Sequence, residues 1–155
     1  MPNQLIFGHD DRVAKWVSKR IPGMDVGSAF GPYTALGVAA DDGYPLAGFI
    51  YHRFRGFDVE ISGAAQSPRW AQRGVIHALL QYPFEQMGCV RVTMLTAKKN
   101  KRARRLIRYL GFVEEGTHPA AYDGHLDACS YGLMREAWRA GKFGLRQELE
   151  LKEAA

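Results

Sequence analysis

Hydrophobic residues run along this chain in two rhythms, one helical and one alternating. Val13, Trp16, Val17 and Ile21 fall at helical spacing behind Asp10 and Asp11, either of which can cap a helix. Leu5-Ile6-Phe7 ahead of them reads as a short strand. Pro22-Gly23 ends the helix, and a Gly-rich connector leads to Pro32. Thr34 to Ala40 and Leu46 to Phe54 read as strands joined at the turn Asp41-Asp42-Gly43, a hairpin. Gly56 turns the chain again. Phe57, Val59 and Ile61 then alternate with Asp58, Glu60 and Ser62, the period of a strand with two different faces.

Gly63 to Arg73 reads as a loop of small and polar residues. Val75, Ile76, Leu79, Leu80, Phe84 and Met87 return to helical spacing, with Pro83 predicting a kink and Gly88 a stop. Val90 to Thr96 is a β-branched strand. Asn100 caps a helix that turns Ala103, Leu106, Ile107 and Leu110 inward, and Gly111 closes it. A strand from Phe112, a loop near Tyr122-Asp123-Gly124 and a last strand from Cys129 to Met134 follow. Ala137 to Ala155 reads as helical, broken at Gly141-Lys142-Phe143-Gly144.

This order predicts an α/β (α+β) fold. Its expected form is a mixed central β-sheet with helices on both faces, whose strand-helix-strand second half implies parallel pairing. With no repeat or linker, residues 1–155 are expected to form one domain with a helical tail from about residue 137.

Composition narrows the class. No apolar run approaches the ~18 residues of a membrane span. The start, Met1-Pro2-Asn3-Gln4-Leu5, lacks the basic and apolar segments of a signal peptide. Cys89 and Cys129 make neither a disulfide framework nor a zinc site. A cytoplasmic protein with no membrane partner is the default expectation. The net charge is +5, and it is concentrated. Lys98, Lys99, Lys101, Arg102, Arg104, Arg105 and Arg108 stand together without an acid among them, so an anion is expected to approach there, although a solvated helix face explains most of these side chains.

Two segments carry the functional signal. Trp70-Ala71-Gln72-Arg73-Gly74-Val75-Ile76-His77-Ala78-Leu79-Leu80 reads as a strand-to-helix turn, where unpaired N–H groups and the helix dipole favour an anion. Asn100, a helix, Leu110-Gly111-Phe112 and Glu115-Gly116 form the second. In this order and spacing they resemble the acyl-CoA-binding half of the GNAT family of N-acetyltransferases, over roughly Thr34 to Arg135. The ending Tyr131-Gly132-Leu133-Met134-Arg135-Glu136-Ala137-Trp138 resembles small members associated with bacteriophage and prophage genes.

The resemblance implies the GNAT fold and an acetyl-CoA-dependent N-acyltransferase acting on a primary amine, with acetyl-CoA as co-substrate and no metal. It places the pyrophosphate-binding motif at Ala71 to Ile76. Gly74 matches the central glycine, while Ala71 stands where Gln or Arg is usual and Ile76 where Gly or Ala is usual. Gln72 or Arg73 would supply the polar side chain. Cofactor contacts are thus expected from Gln72, Arg73, Gly74, Val75 and Ile76, and from Asn100, Lys101 and Arg102 beside the pantetheine arm and phosphates.

Acyl transfer to an amine needs a neutral nucleophile, a polarised thioester carbonyl and a proton for the leaving thiolate. Glu60 matches the family's base on the fourth strand, and Asp58 on the same face is the alternative. A backbone N–H near Ser62 to Ala64 would polarise the carbonyl. The family's usual proton donor is a Tyr seven positions after the capping Asn, and that position is Ile107 here. Tyr131 on the last strand is the expected substitute, with Tyr122, His118 or water as alternatives. His118, Asp123, His125 and Asp127 lack metal-ligand spacing, and Cys129 has no evident partner base for a nucleophile.

The acceptor is expected to be a small-molecule or peptide amine. A second reading, a GNAT-shaped protein that binds nucleic acid or modifies bases, rests on the basic stretch. It lacks the interleaved aromatics of a base-stacking surface, Tyr109 being the one present. Trp138, Phe143, Leu145 and Leu149 form a tail stripe expected to pack on the domain or across a homodimer.

Overall fold

The computed structural model describes residues 2–21 and 31–144. Seven strands form one mixed sheet: β1 (Gln4–Ile6), β2 (Tyr33–Ala39), β3 (Pro45–His52), β4 (Asp58–Ala65), β5 (Arg91–Ala97), β6 (Val113–His118) and β7 (Ala128–Met134), in the spatial order β1-β2-β3-β4-β5-β7-β6. The first four pair antiparallel in sequence, and β4 and β5 run parallel. Helices lie on both faces: α1 (Asp10–Ser18), α2 (Arg73–Gln81), α3 (Lys101–Tyr109) and the short α4 (Arg135–Ala140).

The expected parallel pairing of the second half holds for β4 and β5 only. β7 enters between β5 and β6, antiparallel to each. Composition explains the exchange. Val113 to His118 is polar and largely exposed, suited to a sheet edge, whereas Ala128 to Leu133 is almost entirely buried. The hairpin therefore folds back and gives the apolar strand the inner place.

The main core lies between one face of the sheet and α2 and α3. Leu36, Phe49, Val59, Ile61, Ile76, Leu80, Ile107 and Tyr131 meet there. On the other face α1 covers only β2 and β3, with Val13, Ala14 and Val17 over Ala35 and Ile50. Gly48 permits that approach, since a Cβ there would stand 2.7 Å from Val17 Cγ2. The rest of that face, over β4, β5 and β7, carries polar side chains.

Local details depart from the expected boundaries. Ile21 falls beyond the end of α1. The region read as a loop from Gly63 continues β4 to Ala65 and then makes a 3₁₀ turn at Pro68–Trp70. Pro83, lacking an N–H, widens the end of α2 into a π turn at Tyr82–Gln86 rather than a simple kink. Trp138 and Phe143 bury against the domain itself, with Trp138 stacked on Phe84 at 5.2 Å. The Gly-rich connector at 22–30, Leu145 and Leu149 lie outside the described residues.

Candidate active site

β4 and β5 pair only from Asp58↔Arg91 to Glu60↔Thr93. Beyond that point the strands diverge, because β4 stays with β3 to Ala65 while β5 follows β7 to Ala97. A cavity of about 450 Å³ opens in the fork. Its lining draws on both sides of the sheet, Ser62 and Leu95 on the side of α1, Ile61 and Met94 on the side of α3. Phe49 reaches it because Gly63 carries no side chain, and a Cβ there would overlap the Phe49 ring. Phe49 packs in turn on Trp70, 4.8 Å between ring centroids.

The wider end of the fork leads to the start of α2. Ala71 lines the cavity, and α2 begins two residues later. The first intrahelical bond runs from Ile76 N to Gln72 O, so the Gly74 and Val75 amides precede it at the positive end of the helix. A Cβ built on Gly74 would meet no atom within 4 Å outside its own helix. Ile76 is fully buried in the core, so its bulk points away from this open end. Arg73 is exposed. Gln72 turns to the N-terminus, where its Oε1 accepts from the Asn3 amide at 2.8 Å.

On the opposite wall Asn100 does two things. Its side chain caps α3, accepting from Ala103 N at 3.1 Å, and it lines the cavity. Arg102 also lines the cavity, whereas Lys101 is exposed outside it. Ile107 lines it too, at the position where the resemblance expects a Tyr. Arg104 is the basic residue turned inward. Its Nε donates to the Tyr131 hydroxyl at 2.9 Å, Nη2 to Glu114 at 2.6 Å and Nη1 to the Lys98 carbonyl at 3.0 Å.

Glu60 stands at the vertex of the fork. Its carboxylate lies 3.4 Å from His52 Nε2 and 3.8 Å from Arg53 Nη1. Burial raises its pKa, with Arg53 opposing and Asp58 adding to the rise. Asp58, two residues before, is bound otherwise. Thr93 donates to it at 2.9 Å, and Arg55 and Arg91 lie at 3.4 and 3.7 Å. Arg91 also forms a two-point pair with Glu115. The alternative base is thus the more fully neutralised of the two.

The proposed proton donors separate by strand parity. Tyr131 is fully buried on the face beneath α3, across the sheet from Glu60, and its hydroxyl is committed to Arg104. Ser130 lies on the Glu60 side, hydrogen-bonded to His118 at 2.8 Å. Tyr122 lines the cavity, with its pKa raised by burial and then by Asp123. His52 and the Ser62 hydroxyl, both at the vertex, escape a reading by motif. The turn at Gly56 held the signal, since residues four before and four after that glycine face each other and are His52 and Glu60. No group of metal-ligating side chains is present among the described residues, and no described helix is long and apolar enough to cross a membrane.

A family model described as the acetyltransferase (GNAT) family matches residues 13–112. A solved "Probable acetyltransferase" is 25% identical, covering 70% of this chain and 65% of its own, with a TM-score of 0.57. This chain thus spans slightly less than two thirds of that protein. Mutant forms of the spermidine/spermine N-acetyltransferase SpeG from Vibrio cholerae share 17% identity over 67% of this chain and 68% of theirs, TM-score 0.60. A GNAT-family acetyltransferase from Bacillus anthracis shares 18% over 66% of each, TM-score 0.56. At those lower identities the likeness is one of fold. No curated protein sequence matches the chain.

Proposed function

Because this chain belongs to the acetyltransferase (GNAT) family, we propose that it is an acetyl-CoA-dependent N-acyltransferase that acetylates a primary amine, with Glu60 as the base. One observation carries this reading: the cavity in the fork between β4 and β5 runs from Ala71, just before the open N-terminus of α2, to Ser62, the next residue along the strand face from the desolvated Glu60 carboxylate. The residues fit the co-substrate. Amides at Gly74 and Val75 suit the pyrophosphate, Asn100 and Arg102 suit the arm and phosphates along the far wall, and the cavity suits a slender chain. Gln72 and Arg73 would act around the α2 end and Lys101 beside the α3 wall, all outside the cavity, whereas Ile76, buried and with its N–H bonded to the Gln72 carbonyl, anchors the helix start from the core. Acetyl-CoA supplies the activated acyl group.

Glu60, with its raised pKa, takes a proton from the acceptor ammonium more readily than an ordinary carboxylate. One backbone N–H of the Ser62 to Ala64 stretch polarises the carbonyl, that of Gly63, since the amides on either side of it turn toward β3. Tyr131 is held by Arg104 away from this side, which leaves Tyr122 or water to return the proton.

Charge helps to sort acceptors. Arg53, Arg55 and Arg91 already match Asp58, Glu60 and Glu115 around the vertex. That balance suits a small-molecule or peptide amine better than a polycation. Nucleic acid is the weaker partner, since Tyr109 packs edge-on to Phe143 and sits under Lys142. A homodimer through the tail would have to use Leu145 and Leu149, because Trp138 and Phe143 are already buried. Two free buried cysteines accord with a cytoplasmic setting. The kinship with phage-type members rests on the ending Tyr131 to Trp138 alone. Thermal shift with acetyl-CoA, followed by CoA release against polyamines, aminoglycosides, peptides and nucleosides, tests the assignment. Stabilisation and release with one amine class are expected; absence of any shift overturns it.

A further inference from the structure

His52 ends β3 at the vertex of the fork, and the reading of Glu60 as base leaves it without a role. It is 3% exposed and lies opposite Glu60 in the register. Its Nε2 is 2.8 Å from Ser62 Oγ and 3.4 Å from Glu60 Oε2. One nitrogen therefore faces both oxygens. A nucleophilic Ser-His-acid triad uses the two ring nitrogens separately, one for the serine and one for the acid. This arrangement is not that triad, and an acyl-serine route does not follow from it.

The ring is neutral at ordinary pH, because burial, and then Arg53, pushes its pKa down to about 4. An ionised carboxylate cannot donate, so the tautomer with its proton on Nε2 is the one that faces Glu60 without lone-pair repulsion. That N–H donates to Ser62 and also presents its positive end to Glu60. Ser62, having accepted from His52, directs its own proton elsewhere, and Ser62 lines the cavity.

We propose that His52 is a positioning residue: through Nε2–H it holds the Glu60 carboxylate at the fork and turns the Ser62 hydroxyl into the cavity as a donor to the reacting thioester. This rests on the reading of Glu60 as base. The other groups that bear on Glu60 are Arg53, the residue after β3, and Asp58 from β4, with Thr93 opposite on β5.

Gln and Asn at position 52 separate positioning from filling space. A Gln amide nitrogen reaches about as far as Nε2, and an Asn amide stops near Nδ1. His52→Asn is expected to lower kcat by roughly 10²-fold, as a misplaced catalytic group does. It should leave the KM for acetyl-CoA unchanged and move the acid limb of the pH profile upward. His52→Gln should keep most turnover, and Ser62→Ala should lower kcat at unchanged KM.

Carboxyl titration of Glu60 by ¹³C NMR needs no acceptor. Its pKa should rise in His52→Asn, which loses a donor to the charged form, and hold in His52→Gln. No rise in folded His52→Asn, or equal behaviour of the two variants, overturns the role of His52. The NMR difference between the two variants, together with no thermal shift of the wild type by acetyl-CoA, would instead overturn the functional reading alone.

Discussion

Val59 and Ile61 alternate with Asp58, Glu60 and Ser62 along one strand, and the two sets live in different surroundings. Val59 and Ile61 are at most 1% exposed beneath α2 and α3, in the same core as Leu80 and Ile107. Asp58, Glu60 and Ser62 face a side that α1 does not cover, and each is held by polar partners from β3 or β5. The first face stabilises the fold by removing apolar area from water. The second works against it, because a desolvated carboxylate and a buried neutral imidazole both cost free energy. A strand that does both, one residue apart, can aim a reactive group from a rigid base.

The sharpest break of that comparison is Glu60→Gln. Turnover should fall by a factor of about 10² to 10⁴, typical of a general base, with acetyl-CoA binding intact. Its thermal stability should not fall, since a buried charge is removed. Near-normal turnover would move the role to Asp58 or to water. Ile61→Ala, the next residue, should do the reverse. It should lower stability by about 2–5 kcal/mol in urea unfolding through transfer and cavity effects. A fall below ~1 kcal/mol would mean that the two faces are less distinct than their burial implies.

What could be read beforehand was local. Asn100 as cap and Gly111 at φ +104 as the end of α3 are set by neighbours in sequence, and both stand as expected. The alternation along β4 placed Glu60 on a polar face. The position of β7 was illegible from period alone, because nothing local says which strand a hairpin presents to the sheet. The direction of Ile76 was legible in principle. It shares the helical stripe of Leu79 and Leu80, so its bulk had to point inward. The basic stretch hid Arg104, whose partners Tyr131 and Glu114 come from strands later in the chain.

The two ends of the fork give the next tests. Gly74→Glu puts bulk and negative charge at the open helix terminus and should abolish the thermal shift with acetyl-CoA. An unchanged shift would place the co-substrate elsewhere. Arg102→Ala removes one exposed cation from the cavity wall and should weaken acetyl-CoA binding by about 1 kcal/mol, the scale of a solvated charge contact. A uniform loss on replacing Lys101, Arg105 and Arg108 as well, together with salt-dependent DNA binding, would favour the nucleic-acid reading.

The smallest effect tests the cost of the polar face directly, in stability against pH. The folded pKa of His52 is about 4, below the ordinary 6.5. Between those values the unfolded chain binds the proton more readily than the folded one, so stability falls as pH drops through that window. Glu60 acts in the opposite sense, because its folded pKa is raised. From the ordinary 4.5 up to its raised value the folded chain holds the proton more tightly, so its contribution declines as pH rises there. The two partly cancel in the wild type. His52→Gln removes the first and keeps the second, so its melting temperature should fall less than that of the wild type between pH 6.5 and 4. Parallel melting curves against pH would mean that position 52 takes up its proton equally in both states, and that the polar face is more hydrated than its burial implies.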